Sequence, residues 1–273
     1  MTIMKTTKND RPSALVTLAV AIALAGSAHS VLAFQPLITD DTGTQGTSGN
    51  QLEFGMTEDK AVQGATTIKT RTVPLTYTRG VTDTLDLYVS GSSVRINSTN
   101  ATANASGGGN PALGGKWRFY ENEASKTSLG FKQEFRLPVS TAKERLSLGV
   151  GKTSSSSTLI LTQEVPFGAV HANLWSSRDR YEDTTINPDA TTTRFSVAPV
   201  WEVTEQFKLA LDGGAETKRT NATATRSRTL ELGAIYSPNK DLDFALGLIR
   251  KADNATARTV TNSVTGGVTW RFK

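Results

Sequence analysis

From Asn50 to the end of the chain, apolar and polar residues trade places with period two in segment after segment, and this pattern restricts the fold more than any other feature. Leu52, Phe54 and Met56 share one phase against Gln51, Glu53 and Thr57. The pattern returns in Leu85, Leu87 and Val89, in Leu129, Phe131, Phe135 and Leu137, and in Phe207, Leu209 and Leu211. Later copies are Leu230, Leu232, Ala234 and Tyr236, then Leu242, Phe244, Leu246 and Leu248, then Val264, Val268, Trp270 and Phe272. Less regular segments lie at Val73–Tyr77, Leu113–Phe119, Leu159–Val165, Val170–Leu174 and Phe195–Trp201. The expectation is about twelve strands of roughly ten residues, the length that crosses a bilayer at a tilt.

Connections of two kinds alternate between these segments. Short ones are Gly80–Asp83, Glu121–Ser125, Pro166–Gly168, Thr204–Gln206 and Ser237–Lys240, most of them rich in turn formers. Between them come polar stretches such as Asn97–Pro111, Pro138–Ser157, Arg180–Ala190, Lys218–Thr225 and Ala252–Ala257. Five short turns and six longer loops are what twelve up-and-down strands need. Tyr77, Phe119, Trp201, Phe207, Tyr236, Phe244, Trp270 and Phe272 sit on the apolar phase beside the short turns, as an interfacial aromatic girdle would. A β-sandwich would scatter its aromatics through a core. The fold class expected is therefore all-β, a transmembrane antiparallel up-and-down barrel. No helix-forming run is expected after the amino terminus.

That terminus is different. Lys5, Lys8 and Arg11 precede an apolar run, Ala14–Ala25, and Val31-Leu32-Ala33 has the small residues of a cleavage site. Residues 1–33 read as a secretory signal removed after Ala33, 34–49 as a periplasmic or plug-like segment, and 50–273 as the barrel. Without the leader the formal charge falls from +5 to about +3, with 27 basic and 24 acidic residues. No basic patch interleaved with aromatics is left to suggest nucleic acid as a partner. The absence of cysteine removes disulfides and thiolate chemistry. No metal or cofactor is expected.

Phe34-Gln35-Pro36-Leu37-Ile38-Thr39-Asp40-Asp41-Thr42-Gly43-Thr44-Gln45-Gly46, followed by Gln51-Leu52-Glu53-Phe54-Gly55, resembles the opening of outer-membrane proteins of the phenol-degradation MetA-pathway family. Gly80-Val81-Thr82-Asp83-Thr84-Leu85-Asp86-Leu87, Leu113-Gly114-Gly115-Lys116-Trp117-Arg118-Phe119 and Leu137-Pro138-Val139 are similar to that family too. The resemblance implies a bacterial outer-membrane barrel concerned with uptake of small compounds, aromatic ones among them, and supplies no catalytic residues. The chain departs from the pattern in its Asn97–Pro111 loop and in ending on Lys273 where an aromatic is common.

Candidate functional residues lie on the phase opposite the apolar stripe. Lys116, Arg118, Lys132, Glu134, Arg136, Asp212 and Glu231 are the lumen candidates, with both charge signs interspersed. They either line a pathway that selects by charge or pair across the lumen as a structural network. Lys132, Glu134 and Arg136 should sit at successive depths facing Lys116 and Arg118, leaving an excess of positive charge. Thr39, Asp40, Asp41 and Thr42 admit two readings: a plug or ligand contact in the periplasmic mouth, or a polar turn bonding its own backbone, the latter favoured. His171, the one histidine after the leader, shares its phase with Asn173 and Trp175 on the lumen side. A base placed there cannot reach lipid acyl chains, so no enzyme is expected. The function expected is passive passage of an unknown small molecule; the alternative is a structural barrel with a closed lumen whose outer loops meet a partner. Other partners expected are outer-membrane lipid and the assembly machinery, the latter through Trp270 and Phe272.

Overall fold

Every inward position of a closed barrel is followed by an outward one, and side-chain exposure in this protein obeys that rule along nearly every strand. On one strand Leu230, Leu232 and Tyr236 are 54%, 59% and 46% exposed, while Glu231 and Ile235 between them are 0% and 2%. The computed structural model describes residues 36–100 and 103–273, so the expected leader lies outside the described residues. The strands are β1 (Asn50–Gln63), β2 (Thr66–Gly80), β3 (Leu85–Ser98), a short β4 (Ala105–Gly108), β5 (Ala112–Asn122), β6 (Thr127–Arg136) and β7 (Ser154–Val165). They continue as β8 (Gly168–Asp179), β9 (Ala190–Glu202), β10 (Phe207–Arg219), β11 (Ala224–Asn239), β12 (Leu242–Asp253) and β13 (Val260–Phe272).

Each long strand pairs antiparallel with the long strands before and after it, and β1 pairs with β13 from Asn50↔Phe272 to Val62↔Val260, closing a barrel of twelve long strands. Closure leaves no edge in the apolar zone, the condition for spanning lipid with strands. No helix among the described residues is long and apolar enough to cross a membrane. β4 is not a separate stave. It pairs with β3 from Ser93↔Gly108 to Ile96↔Ala105, and β5 continues the same partnership from Ser90↔Ala112 to Leu85↔Trp117.

The strands run 10 to 16 residues, longer than expected. The reason lies at the end carrying the longer loops. The stretch between Met56 and Val73, which no alternating segment was assigned to, is a hairpin with a turn of only Gly64 and Ala65. Lys218 and Thr225 likewise belong to β10 and β11. Sixteen residues extend roughly 53 Å at 3.3 Å each, against a hydrocarbon core of about 30 Å. Beyond the lipid the outward phase turns polar, as in Glu58, Lys60, Lys69 and Arg71, so the strand ends carry no outward apolar stripe to read.

Two further departures are local. A bulge between Arg118 and Tyr120 puts Phe119 and Tyr120 both on the outer surface, 43% and 44% exposed, so the alternation breaks there. A short helix, α1 (Thr141–Arg145), forms where none was expected, its first turn capped by the Ser140 hydroxyl accepting from Lys143 N–H. Outside, Trp270 and Phe272 lie with ring centroids 4.6 Å apart, and Trp117 and Phe119 5.6 Å apart.

Candidate functional site in the barrel lumen

Lys116 and Lys132 stand directly opposite one another on β5 and β6, both pointing inward. Like charges in that register repel, so the wall alone does not account for them. The compensation comes from residues 36–49, which enter the barrel at the short-turn end. Asp40 lies between the two lysines, 2.6 Å from Lys132 Nζ and 3.5 Å from Lys116 Nζ, and Asp41 approaches Lys116 at 3.5 Å.

The segment can be followed across the lumen. Pro36 rests on β11 and β12, where a Cβ on Gly247 would meet Pro36 Cβ at 3.0 Å and Glu231 Oε1 at 2.5 Å, so these walls need glycine to let the chain approach. Leu37 packs with Ala198, Val200 and Ala210. Thr39 N–H donates to Asp212 (2.6 Å), and the Thr39 hydroxyl lies 2.9 Å from Asp212 Oδ1 and 2.7 Å from Ser196 Oγ. With its amide oriented to satisfy both atoms, Asn173 accepts from Asp40 N–H (2.6 Å) and donates to Asp40 carbonyl oxygen (3.0 Å). Thr42 N–H donates to Thr162 (3.1 Å), and its hydroxyl shares a hydrogen bond with Ser128 (2.5 Å). On the far wall Gln45 N–H donates to both Asp86 carboxylate oxygens (3.1 Å each). Thr47 donates to Asp83 from N–H (2.9 Å) and hydroxyl (2.6 Å).

The polar-turn reading accounts for Asp41, whose carboxylate accepts from Gly43 N–H (2.6 Å). It accounts in part for Asp40, which accepts from Asp41 N–H (3.0 Å), and not for Thr39 and Thr42; the three residues also bond to β6, β7, β8, β9 and β10. The segment leaves space on either side. A cavity of about 290 Å³ lies towards β1–β3 and β13, lined by Glu53, Thr78, Asp86, Tyr88 and Arg271 among others. A vestibule of about 820 Å³ lies towards β6–β10, where Arg118, Lys126, Glu164, His171, Glu202 and Lys208 contribute.

The other lumen candidates divide among separate partners. Glu134 accepts from Tyr88 hydroxyl (3.2 Å), and Lys132 Nζ lies 5.5 Å from the centre of that ring. Arg136 pairs with Asp179. Arg118 stands opposite Gly130, not beside the lysine pair, and donates to Asp83 carbonyl oxygen (3.2 Å) at the short-turn rim while facing Glu121 (3.4 Å). The expected positive excess is therefore offset by Asp40, Asp41 and Asp179. Asp212 and Glu231 face each other on β10 and β11. Glu231 is fully buried, and neither of its oxygens has a hydrogen bond. His171 faces inward, its Nδ1 3.0 Å from the Thr162 hydroxyl.

Sequence reasoning missed Ser128, Thr162, Ser196, Asn173 and Asp179 as partners of the segment and its charges. Small hydroxyls and amides on a polar phase carry no signal until the segment that they bind is in place.

Family and fold comparisons bear on the barrel as a whole. Residues 34–272 match the family described as "Putative MetA-pathway of phenol degradation". The chain belongs to that family. The MetA-pathway match spans the crossing segment as well as the barrel. In fold the chain is similar to a crystallised outer-membrane channel from Pseudomonas putida F1, at 14% identity over 86% of this chain and 100% of that one, with a TM-score of 0.68. It is less similar to the transport unit of the autotransporter AIDA-I from Escherichia coli, at 10% identity over 93% and 97% of the two chains and a TM-score of 0.52. The beta domain of the Bordetella autotransporter BrkA compares at 12% identity over 83% and 100%, TM-score 0.51. No relative among curated protein sequences matches the chain. These likenesses establish an outer-membrane β-barrel fold.

Proposed function

We propose that this MetA-pathway family member is a passive channel that admits small organic compounds, aromatic ones among them, and that residues 36–49 set its bore. The observation that carries the reading is a lumen crossed but not filled: one ionic bridge at Asp40, with about 290 Å³ and 820 Å³ on its two sides. A pore lined by fixed, paired charges passes small solutes without strong selection by sign. Nothing in the sequence couples it to an energy source, so flow runs down a gradient. His171 takes no catalytic part. In planar bilayers the wild-type protein is expected to give small unitary currents, and Asp40→Asn larger ones as the bridge weakens.

The second reading, a closed barrel with partner-binding loops, draws support from the segment itself, which stands across the mouth. Absence of current from both wild type and Asp40→Asn would establish it over the channel. In either case the leader is removed after Ala33, both termini face the periplasm, and Asn97–Pro111 faces outward. An epitope inserted after Gly108 is expected on intact cells. Trp270 and Phe272, 51% and 36% exposed on the final strand, present the assembly signal.

A further inference from the structure

On the outside of the wall, the polar strand ends above the apolar band are strongly basic over half of the barrel. Arg250 on β12, Asn262 on β13, Lys60 on β1 and Lys69 on β2 are successive register partners, so they form one row around the outer surface. The row beneath it runs Leu248, Val264, Glu58, Arg71 and Arg95, again partner to partner. Leu248, Val264 and, one step lower on β1, Met56 are exposed members of the lipid-facing stripe. The bases therefore begin where the stripe ends. Arg228, also outward and exposed, carries the basic surface on to β11.

This surface is not balanced by the chain itself. Lys60 and Lys69 stand directly opposite one another, and so do Arg71 and Arg95. Side chains in that register have Cβ atoms roughly 4.5–5.5 Å apart, and like charges there repel. Glu58 is the one acid on the outward phase of β1–β3 and β11–β13 beyond the apolar stripe, and Arg71 already holds it at 2.9 Å. Arg250 donates to a neutral amide, Asn262 (3.2 Å). Lys60, Lys69, Arg95 and Arg228 are exposed and have no ion pair among the described residues. Inside the lumen the same problem, Lys116 opposite Lys132, is solved by Asp40. Outside, the anion has to come from another molecule.

The position of the bases says what kind of anion fits. A free ion would neutralise the charge and make no use of the apolar band directly below. A phosphorylated lipid uses both: its acyl chains run down Leu248, Val264 and Met56, and its phosphate sits among ammonium groups that act as point charges and guanidinium groups that bind it in a planar fork. We infer that the outer surface of β1–β3 and β11–β13 at the long-loop end is a binding site for a phosphorylated lipid. Lys60, Lys69 and Arg95 are its main contacts, and Arg71, Arg228 and Arg250 flank them. A phosphate there turns a repulsive register into an attractive one, so the lipid acts as part of the wall. With the long-loop end outward, as proposed above, that lipid belongs to the outer leaflet. The site lies outside the lumen and does not depend on whether the lumen conducts.

The test uses the full chain in phosphatidylcholine nanodiscs to which lipid A is added, either with both phosphates or with the phosphates removed. Lipid retained on extraction is counted by native mass spectrometry, and the urea midpoint is measured alongside. Wild type is expected to retain the phosphorylated form saturably and to be stabilised by it, with no response to the phosphate-free form. Lys60→Gln/Lys69→Gln/Arg95→Gln should bind it more weakly, by roughly five-fold for each charge removed. The urea midpoint of this variant should rise in phosphatidylcholine alone, where repulsion is relieved, and fall below wild type when the phosphorylated lipid is present. Lys152→Gln/Lys240→Gln/Lys273→Gln, an equal charge change at other exposed positions, should leave retention unchanged. Raising the salt should release the lipid from wild type, which tests the charge with no substitution at all. Equal retention of the phosphate-free lipid, equal retention by the two triple variants, or retention indifferent to salt would overturn the site. Equal stabilisation by inorganic phosphate at the same phosphate concentration would reduce it to an ion site and overturn the lipid.

Discussion

The two ends of the lumen are narrowed by opposite means. At the short-turn end an extended segment is held by charge: Asp40 between Lys116 and Lys132, Asp212 and Asp86 receiving backbone N–H groups. At the long-loop end a loop places an aliphatic side chain on an aliphatic patch, and one buried carboxylate, Glu144, holds the backbone around it. The difference follows from what each wall offers. Cross-strand lysines are unstable without an anion, so the first end specifies its occupant strongly. Aliphatic surface accepts any apolar group of fitting shape, so the second end specifies its occupant weakly. A barrel built this way has a firm divider at one end and an apolar cover at the other.

Asp40→Ala should break the comparison most. It leaves two buried ammonium groups facing each other, and removing one partner of a buried ion pair costs about 3–5 kcal/mol. Urea unfolding in lipid measures the loss. Amide exchange at Thr39, Thr42 and Gln45 should accelerate while Gly151 and Glu182 stay protected. Equal loosening at both ends would show that the two are one cooperative unit.

Why the strongest contact of the lumen was half-legible follows from its chemistry. The barrel could be read because lipid enforces an apolar residue at alternate positions: Leu230, Leu232 and Tyr236 have no other place to be. Lys116, Lys132, Glu134 and Arg136 could be named because the opposite phase is then inward. Their pairing could not, because Asp40 belongs to a segment with no periodicity, and its partners lie 76 and 92 positions away. Thr39–Thr42 has the composition of a turn, and its two carboxylates do bond the local backbone, but Asp40 also bridges the lysines. The bulge at Phe119, the added strand length beyond the lipid and α1 were hidden for a related reason: none is under the constraint that makes the apolar stripe.

Glu144→Gln is the matching change at the other end. Three backbone N–H groups converge on a carboxylate, and an amide offers one acceptor oxygen in its place, leaving a loss of about 1–3 kcal/mol that is confined to the loops. Proteolytic nicking between Thr141 and Asn187 should rise, with the Asp40 bridge intact. Smaller still is Glu231→Gln. The wild-type carboxylate is fully buried without a hydrogen bond, so neutralising it should raise stability by about 1 kcal/mol, read as a shift in the urea midpoint. A fall would mean that the charge is balanced by Arg194 of β9, whose guanidinium interacts electrostatically with Glu231.

The smallest effect tests whether the ends share any common behaviour, and pH supplies it. Asp83 at the short-turn rim is held below the ordinary carboxylate range of 3.8 by the Thr47 hydroxyl, then by the Thr47 N–H. Asp183 in the β8–β9 loop is held below 3.8 chiefly by the Thr185 hydroxyl. A carboxylate whose folded value is depressed contributes its full stabilisation above the unfolded value and loses it as pH falls through the folded one. Both bonds should therefore be intact above about pH 4 and weaken together only below it. Asp83 is exposed and Asp183 half-buried in a surface loop, so the expected result is faster exchange at the Thr47 and Thr185 amides in acid, after correction for intrinsic rates, with no global unfolding. Asp83→Asn should remove the dependence at Thr47 alone, and Asp183→Asn at Thr185 alone. If either substitution moved the other site, the rims would communicate through the wall, and the firm divider and the apolar cover would have to be treated as one coupled device.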